Sequence, residues 1–202
     1  MISVIVAALL TSPFASDWLP LKAGSEWEYS VTFGQGLIPV TQLFLVREPV
    51  IIKGTSAIPM DVLVNGESQG TSFYGEAGGF VVVLAVKSDS LLPQPLPVLP
   101  LEVKKGKTWE HSGATMLYGG TASIKTKSKI TKLEMAEVLG KKVEIMEIFT
   151  TSQIGEGPAA LKTESTERYG KGIGMVYRHQ RVVAKDGGTA TFQLTRYTEA
   201  AR

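Results

Sequence analysis

A two-residue rhythm of apolar and polar side chains runs through most of this chain and restricts what it can fold into. From Glu26 to Phe33 the odd-numbered residues are large and apolar, and the even-numbered ones are polar. Successive side chains of a β-strand point to opposite faces, so this alternation predicts a strand with one buried face. The rhythm predicts further strands over 41–47, 58–64, 71–74, 79–86, 121–133, 142–151, 161–169, 175–184 and 189–197.

Turn and helix signals agree with a chain built of sheet. Asn65-Gly66 and Asp186-Gly187-Gly188 separate strand-like segments and supply residues that tolerate the positive φ of hairpin turns. Good helix formers cluster only from Leu133 to Leu139, and Gly140 would end a helix there after about two turns. We therefore predict an all-β fold: an antiparallel meander, open barrel or sandwich with few or no helices.

Residues 1–16 have the order of a short secretory signal peptide. An apolar run from Ile2 to Leu10 is followed by small and turn-prone residues, with cleavage expected near Ala15 or Ser16. No Lys or Arg precedes the run, and a buried first strand or a misassigned start codon are the alternatives. Later segments fall short of the about 18 apolar residues of a membrane helix. We expect export to the periplasm or the cell exterior, with no transmembrane segment in the mature chain.

Residues 17–202 are predicted to form one β-rich domain, with two sub-repeats, 17–90 and 99–202, as a variant of that arrangement. Four prolines between 93 and 100 exclude a helix or a central strand, because each proline lacks an N–H donor. Residues 91–98 therefore form an extended connector. On either side of it, Leu-Pro-Leu is followed by a glycine and, three residues later, by Trp27 or Trp109. Each tryptophan is expected to start a strand by being buried, and chance recurrence of a short pattern is the alternative.

Composition excludes several classes of function. The chain has 21 basic and 19 acidic residues and a formal charge of +2, without the concentrated positive charge that drives binding to a phosphate backbone. We expect no nucleic-acid partner. The absence of cysteine excludes disulfides, thiolate chemistry and cysteine-ligated zinc. His111 and His179 are not spaced as metal ligands on one element. We predict no metal, no cofactor and no catalytic residue.

Two segments carry a resemblance to known proteins. The first is Trp18-Leu19-Pro20-Leu21-x-x-Gly24-x-x-Trp27-x-Tyr29, and the second is Tyr169-Gly170-Lys171-Gly172-Ile173-Gly174. Both resemble a set of exported bacterial β-rich proteins without assigned functions, although many members carry a signal-peptide cysteine that this chain lacks. The resemblance implies export and a β-fold, and it implies no catalytic residue. Structural roles are predicted for Trp27, Tyr29, Trp109, Tyr169, Gly172 and Gly174.

One short motif points to an enzyme. Gly66-Glu67-Ser68-Gln69-Gly70 matches the G-x-S-x-G nucleophile elbow, and Asp89 with His111 or His179 follows in the order of a hydrolase. The elbow requires a strand, a sharp turn and a helix, whereas the residues around Ser68 predict a hairpin. We predict that the protein is not an enzyme, and a serine hydrolase is the remote alternative.

The segment from Phe80 to Val86 is apolar on both of its predicted faces. Such a strand is covered on both sides, either by packed layers or by a ligand in a cavity. In the second case Phe80, Val82, Leu84 and Val86 would form the apolar wall of the site. The sequence thus favours an exported, non-enzymatic protein that binds an apolar or amphiphilic molecule such as a lipid, or an envelope protein. A structural or assembly module is the alternative.

Overall fold

The computed structural model describes residues 16–34, 38–117, 120–184 and 187–200. These residues form thirteen strands and, apart from a 3-10 turn at Gly157–Ala159, no helix. The predicted all-β class is confirmed. Most of the signal-peptide segment and Asp186 of the predicted turn lie outside the described residues. The strands are β1 (Glu26–Phe33), β2 (Val40–Val46), β3 (Val50–Ile52), β4 (Thr55–Val64), β5 (Glu67–Ala77), β6 (Phe80–Ala85), β7 (Leu96–Pro100), β8 (Thr108–Leu117), β9 (Gly120–Val138), β10 (Lys141–Ile154), β11 (Leu161–Gly170), β12 (Gly174–Val182) and β13 (Thr189–Thr198).

Twelve of the strands follow one another in a single antiparallel sheet. Their order is β7-β6-β5-β4-β2-β1-β13-β12-β11-β10-β9-β8, and β3 pairs with β4 outside this path. The sheet curls into a nearly closed barrel, which brings its first and last strands, β7 and β8, close to each other. Among the described residues, no helix is long and apolar enough to cross a membrane.

Strand β1 lies in the middle of this sheet, between β2 and β13. Its burial alternates as the sequence predicts: Trp27, Tyr29 and Val31 are buried, and the residues between them are partly exposed. The Trp27 ring stacks on Tyr197 with 5.5 Å between ring centroids, and its indole N–H donates to the Ile173 carbonyl. The inner face of β1 thereby joins the main apolar core to the turn between β11 and β12.

Two hairpin turns have two successive residues at positive φ, a geometry that Asn-Gly favours and that Leu139 adopts beside Gly140. Asn65 and Gly66 join β4 to β5 with φ of 50° and 86°, as predicted for this Asn-Gly pair. Leu139 and Gly140 join β9 to β10 with φ of 50° and 75°. The segment 133–139, which has the composition of a helix, is therefore strand and turn. Its pairing with β10 outweighs a local preference that spans only about two helical turns.

The glycines that follow the two Leu-Pro-Leu segments have the same backbone geometry. Gly24 has φ of +85° and donates its N–H to the Val46 carbonyl at 2.9 Å. Gly106 has φ of +86° and donates to the Ile130 carbonyl, also at 2.9 Å. In both copies the positive φ suits glycine, and the tryptophan three residues later is buried. Each copy anchors the start of a strand to its neighbour in the sheet.

The proline-rich segment forms one edge of the sheet. Its second half belongs to β7, whose one partner among the described strands is β6, and this edge position tolerates proline. Pro97 and Pro100 have no N–H to offer to β8 on the other side. The rings of Phe80 and Trp109 lie 5.8 Å apart, and Leu99 is completely buried beside this pair in the main core. The line where β7 and β8 approach is called the seam below.

Outside the cavity, one buried carboxylate is held by several donors. Glu147 is 7% exposed and accepts hydrogen bonds at 2.9 Å from the Thr131 hydroxyl and from Arg168 Nε. Burial alone would raise the pKa of Glu147, but these hydrogen bonds and the nearby charges of Arg168 and Lys132 hold it below its ordinary value. The folded protein is therefore stabilised by the ionised form.

We expect this carboxylate to make stability sensitive to acid. Because the pKa of Glu147 is lower in the folded than in the unfolded chain, its contribution is present above the unfolded pKa and is lost as pH falls through the folded pKa. Urea unfolding of Glu147→Gln should show lower stability at neutral pH and a shallower loss toward acid than the parent. Exposed Glu156 provides the control Glu156→Gln, and parallel acid profiles for the parent and Glu147→Gln would contradict the assignment.

Candidate functional site

The barrel encloses a cavity of about 340 Å³, which lies within the range of about 300 to 1,000 Å³ typical of small-molecule sites. Its two sides differ in chemistry. The polar groups come mainly from β9 to β12, which also contribute Ile124, Ile148, Ile154 and Met175, and the other side comes from β1, β2, β4, β5, β7 and the segment before β1. The main contributors to the apolar side are Leu19, Trp27, Tyr29, Phe44, Met60, Leu96, Pro97 and Val98.

Six hydroxyl side chains lie in two adjacent rows on the polar side, and we call them the hydroxyl grid. Within each strand they are two residues apart, so they share the inner face. Antiparallel register aligns them across β9, β10 and β11, and the Ser128 and Thr150 hydroxyls are 2.9 Å apart. One row is Ser128, Thr150 and Ser165, and the other is Thr126, Ser152 and Thr163.

A pair of opposite charges forms the next row of the same wall. Glu167 on β11 faces Arg178 on β12, with 3.3 Å between Oε1 and Nε. Glu167 Oε2 accepts a hydrogen bond from the Tyr169 hydroxyl at 2.7 Å, and Arg178 Nη2 donates to Gln180 Oε1 at 2.8 Å. The ion pair is poorly aligned, since buried Arg178 Nε makes no hydrogen bond to any described residue. The wall therefore carries balanced charges and one N–H donor without an acceptor.

Three tyrosines surround this charged pair as neutral phenols. Burial, together with the charge of Glu167, raises the pKa of Tyr74 to about 12 and that of Tyr169 well above the ordinary value. Burial also raises the pKa of Tyr29, whose hydroxyl donates to the Met175 carbonyl at 2.8 Å. All three keep their protons at neutral pH. Glu167 and Arg178 are thus the only charged groups in the part of the cavity lining that the structure describes.

The four residues predicted as an apolar ligand wall do not line this cavity. Val82 and Leu84 pack in a second, smaller cluster, Phe80 contacts Trp109, and Val86 follows the end of β6. Apolar packing of the protein itself covers the β6 strand on both faces. The other members of the second cluster are Ile52, Ala57, Phe73, Ala85 and partly buried Leu91.

The residues predicted to be structural lie close to the site. Trp27, Tyr29 and Tyr169 line the cavity, whereas Trp109 packs at the seam. Gly172 and Gly174 form the turn between β11 and β12, with φ of +75° and +100°. A Cβ on Gly174 would lie 2.8 Å from Trp27 Nε1, so this glycine permits the close approach that its sequence pattern suggests.

The hydroxyl grid is the part of the site that sequence reasoning missed. A signal for it exists in Lys125-Thr126-Lys127-Ser128-Lys129, where both alternating sets are polar. The lysines are exposed, so the small hydroxyls face inward. Thr126 and Ser128 share this inner face of β9 with the buried residues Ile124 and Ile130, so two polar residues at inner positions indicate that this part of the strand meets a polar cavity instead of a dry core.

The structure gives little geometric support to a serine hydrolase or to a metal site. Ser68 is exposed on β5, directly after the Asn65–Gly66 turn, and a strand follows it where a nucleophile elbow needs a helix. His179 contacts the Thr191 hydroxyl at 3.0 Å. Among the described residues, no group of three acidic, histidine or cysteine side chains is placed to hold a metal ion.

Comparison with known proteins identifies the fold. No protein-family model matches the chain, and no curated protein does. A predicted exported protein with a YmcC-like fold from Bacteroides fragilis superposes with a TM-score of 0.54 at 11% identity, covering 92% of this chain and 100% of that one. A predicted lipoprotein from Parabacteroides distasonis gives 0.57 at 10% identity with the same coverage. The hypothetical lipoprotein YmcC from Escherichia coli gives 0.39 at 11%, covering 89% of each chain. The first two show that this chain shares their β-fold.

Proposed function

We propose that the protein is an exported binding protein that holds one end of an amphiphilic small molecule inside its barrel. The observation that carries the proposal is the two-sided cavity of about 340 Å³, apolar toward β1, β2 and β4 and polar toward β9 to β12. An interior that served only stability would be filled with apolar side chains, because packed cores leave few voids larger than a water molecule.

The chemistry of the two sides fits a molecule with two unlike ends. Trp27, Phe44 and Met60 offer an apolar surface to a hydrocarbon group, whose burial is favourable in proportion to its area. The hydroxyl grid and the pair of Glu167 and Arg178 offer hydrogen bonds to a polar group. A purely apolar guest would leave these polar side chains without partners, and a purely polar guest would leave the apolar side in contact with water.

The seam supplies a route into the cavity. Leu96, Pro97 and Val98 of the edge strand β7 line the cavity, and among the described residues no hydrogen-bonded ladder joins β7 to β8. An apolar chain can therefore pass between the two edge strands while the polar group stays inside. This arrangement suits an amphiphile whose hydrocarbon part is longer than the cavity.

Export belongs to the same proposal. The apolar run from Ile2 to Leu10 and the small residues after it have the order of a secretory signal. Two structures with the same fold are named as an exported protein and a lipoprotein. An envelope location would place the protein among the lipids and lipid-linked molecules that have the amphiphilic chemistry of the cavity.

Filling the cavity from the polar side tests the proposal. Ser152→Phe places a ring in the space beside the hydroxyl grid, and we expect it to weaken binding of the apolar fluorophore N-phenyl-1-naphthylamine by about tenfold or more. Thr151→Phe adds the same ring to the exposed face of the same strand and should bind like the parent. Fluorescence titration measures both affinities, and thermal melts confirm that both variants fold.

The two variants distinguish binding in the cavity from binding at the surface. Loss of binding in Ser152→Phe alone supports a ligand in the barrel. Equal binding by both variants and the parent would place the fluorophore outside the barrel and contradict the proposal. Native mass spectrometry of the protein from its own envelope fraction adds an independent readout, because an amphiphile that is bound in the cell should be retained as a discrete mass.

A further inference from the structure

We infer that the polar group held in the cavity is uncharged and carries several hydroxyls, as in a monoglycosyl or glycerol headgroup. This inference rests on the proposed function and specifies its ligand class. It follows from three features of the polar wall, which are its charge balance, the hydrogen-bonding character of the hydroxyl grid and the position of a single unpartnered donor.

The charges of the wall are already matched. Among the described residues that line the cavity, Glu167 and Arg178 are the only charged ones, and they lie 3.3 Å from each other. A buried ionic headgroup needs an opposite charge within the cavity, because an unpaired charge out of water is strongly destabilised. An anionic group would lie against the Glu167 carboxylate, and a cationic group would lie against the Arg178 guanidinium. An uncharged group avoids both repulsions.

The hydroxyl grid matches a group that both donates and accepts. Each serine or threonine hydroxyl can donate one hydrogen bond and accept others, and it rotates to suit its partner. Ser152, Thr163 and Ser165 have no side-chain hydrogen-bond partner among the residues that the structure describes. A carboxylate only accepts and a quaternary ammonium does neither, so of these three groups a hydroxylated one makes the fullest use of the grid.

The unpartnered donor lies next to the grid. Arg178 Nε is buried and makes no hydrogen bond to a described residue, although it belongs to the cavity wall. Gln180, which accepts from the same guanidinium, is the cross-strand partner of Ser165 in the grid. A hydroxyl oxygen of the ligand at this point would accept from the arginine and continue the network along the row.

A set of amphiphiles with one chain and different headgroups tests the inference. Dodecyl glucoside, dodecanoate and dodecyltrimethylammonium, each below its micelle concentration, compete with N-phenyl-1-naphthylamine for the parent protein. We expect the glucoside to compete about tenfold more strongly than either ion, because it alone gains hydrogen bonds without an unpaired charge.

The double variant Thr163→Val with Ser165→Ala removes two hydroxyls of the grid while keeping side chains of similar size. We expect it to reduce the glucoside's affinity by about tenfold and to leave binding of the apolar fluorophore unchanged. Thr166→Val, on the opposite face of the same strand, is the matched control and should leave both affinities as in the parent.

Each outcome either supports or overturns the inference. Preference for the glucoside that disappears in the double variant supports the inference. Equal competition by all three amphiphiles, or tightest binding of either ion, overturns the inference while the proposed function stands. If the fluorophore itself binds equally to the parent and to Ser152→Phe, the proposed function fails, and the inference fails with it.

Discussion

Replacing Trp27 with alanine is expected to lower the free energy of unfolding by about 3 to 5 kcal/mol, as large-to-small changes in well-packed cores do. The side chain is 2% exposed, stacks on Tyr197 and donates its indole N–H to the Ile173 carbonyl. The substitution removes the packing and the hydrogen bond together. It also leaves a carbonyl oxygen without its donor, which adds to the cost.

Urea denaturation monitored by circular dichroism measures this effect. Phe33→Ala is the control, because Phe33 ends the same strand but is 46% exposed, and we expect it to cost less than about 1 kcal/mol. A Trp27→Ala protein that unfolds within about 1 kcal/mol of the parent would show that the ring does not anchor the core.

Replacing Gly174 with alanine is expected to cost about 2 to 5 kcal/mol. Its φ of +100° already disfavours any side chain, and the added Cβ would lie 2.8 Å from Trp27 Nε1 and 3.2 Å from Cε2. Either the buried indole or the backbone of the turn must move. The expected cost therefore combines backbone strain of about 1 to 2 kcal/mol with overpacking of about 1 to 3 kcal/mol.

Gly172 provides a control in the same turn. Its φ is +75°, but a Cβ there meets no atom within 4 Å, so Gly172→Ala should cost only the backbone strain of about 1 to 2 kcal/mol. The difference between the two alanine variants measures the close approach of Gly174 to the indole. Equal unfolding free energies for the two variants would contradict a role for that contact.

The strands that the sequence predicts best are those with one apolar face. β1 alternates in burial as its residues do, and the Asn65–Gly66 hairpin follows directly from its turn residues. β9 extends to Val138, five residues beyond the predicted end at Leu133, because cross-strand pairing with β10 continues past the periodic segment. The end of β9 is set by its pairing with β10, and the local sequence pattern carries no signal for it.

The edge strands and the site could not be predicted from single segments of sequence, because both depend on how distant strands are arranged in the sheet. β7 contains prolines that suggest a connector, and only its place at the end of the sheet allows it to be a strand. The hydroxyl grid exists only when three strands are aligned in register, so Ser128, Thr150 and Ser165 gain a common role through the fold. The apolar run of β6, the most conspicuous local signal, belongs to packing instead.

The seam also affects how strictly the barrel would select ligands by their length. Among the described residues, no hydrogen-bonded ladder joins β7 to β8, and the wall is closed there by side-chain packing such as that of Phe80 on Trp109. Under the proposed function, the part of a ligand that exceeds the cavity would leave the barrel between these two strands. Selection would fall on the end that is enclosed, and molecules that share that end but differ in tail length should bind with similar affinity.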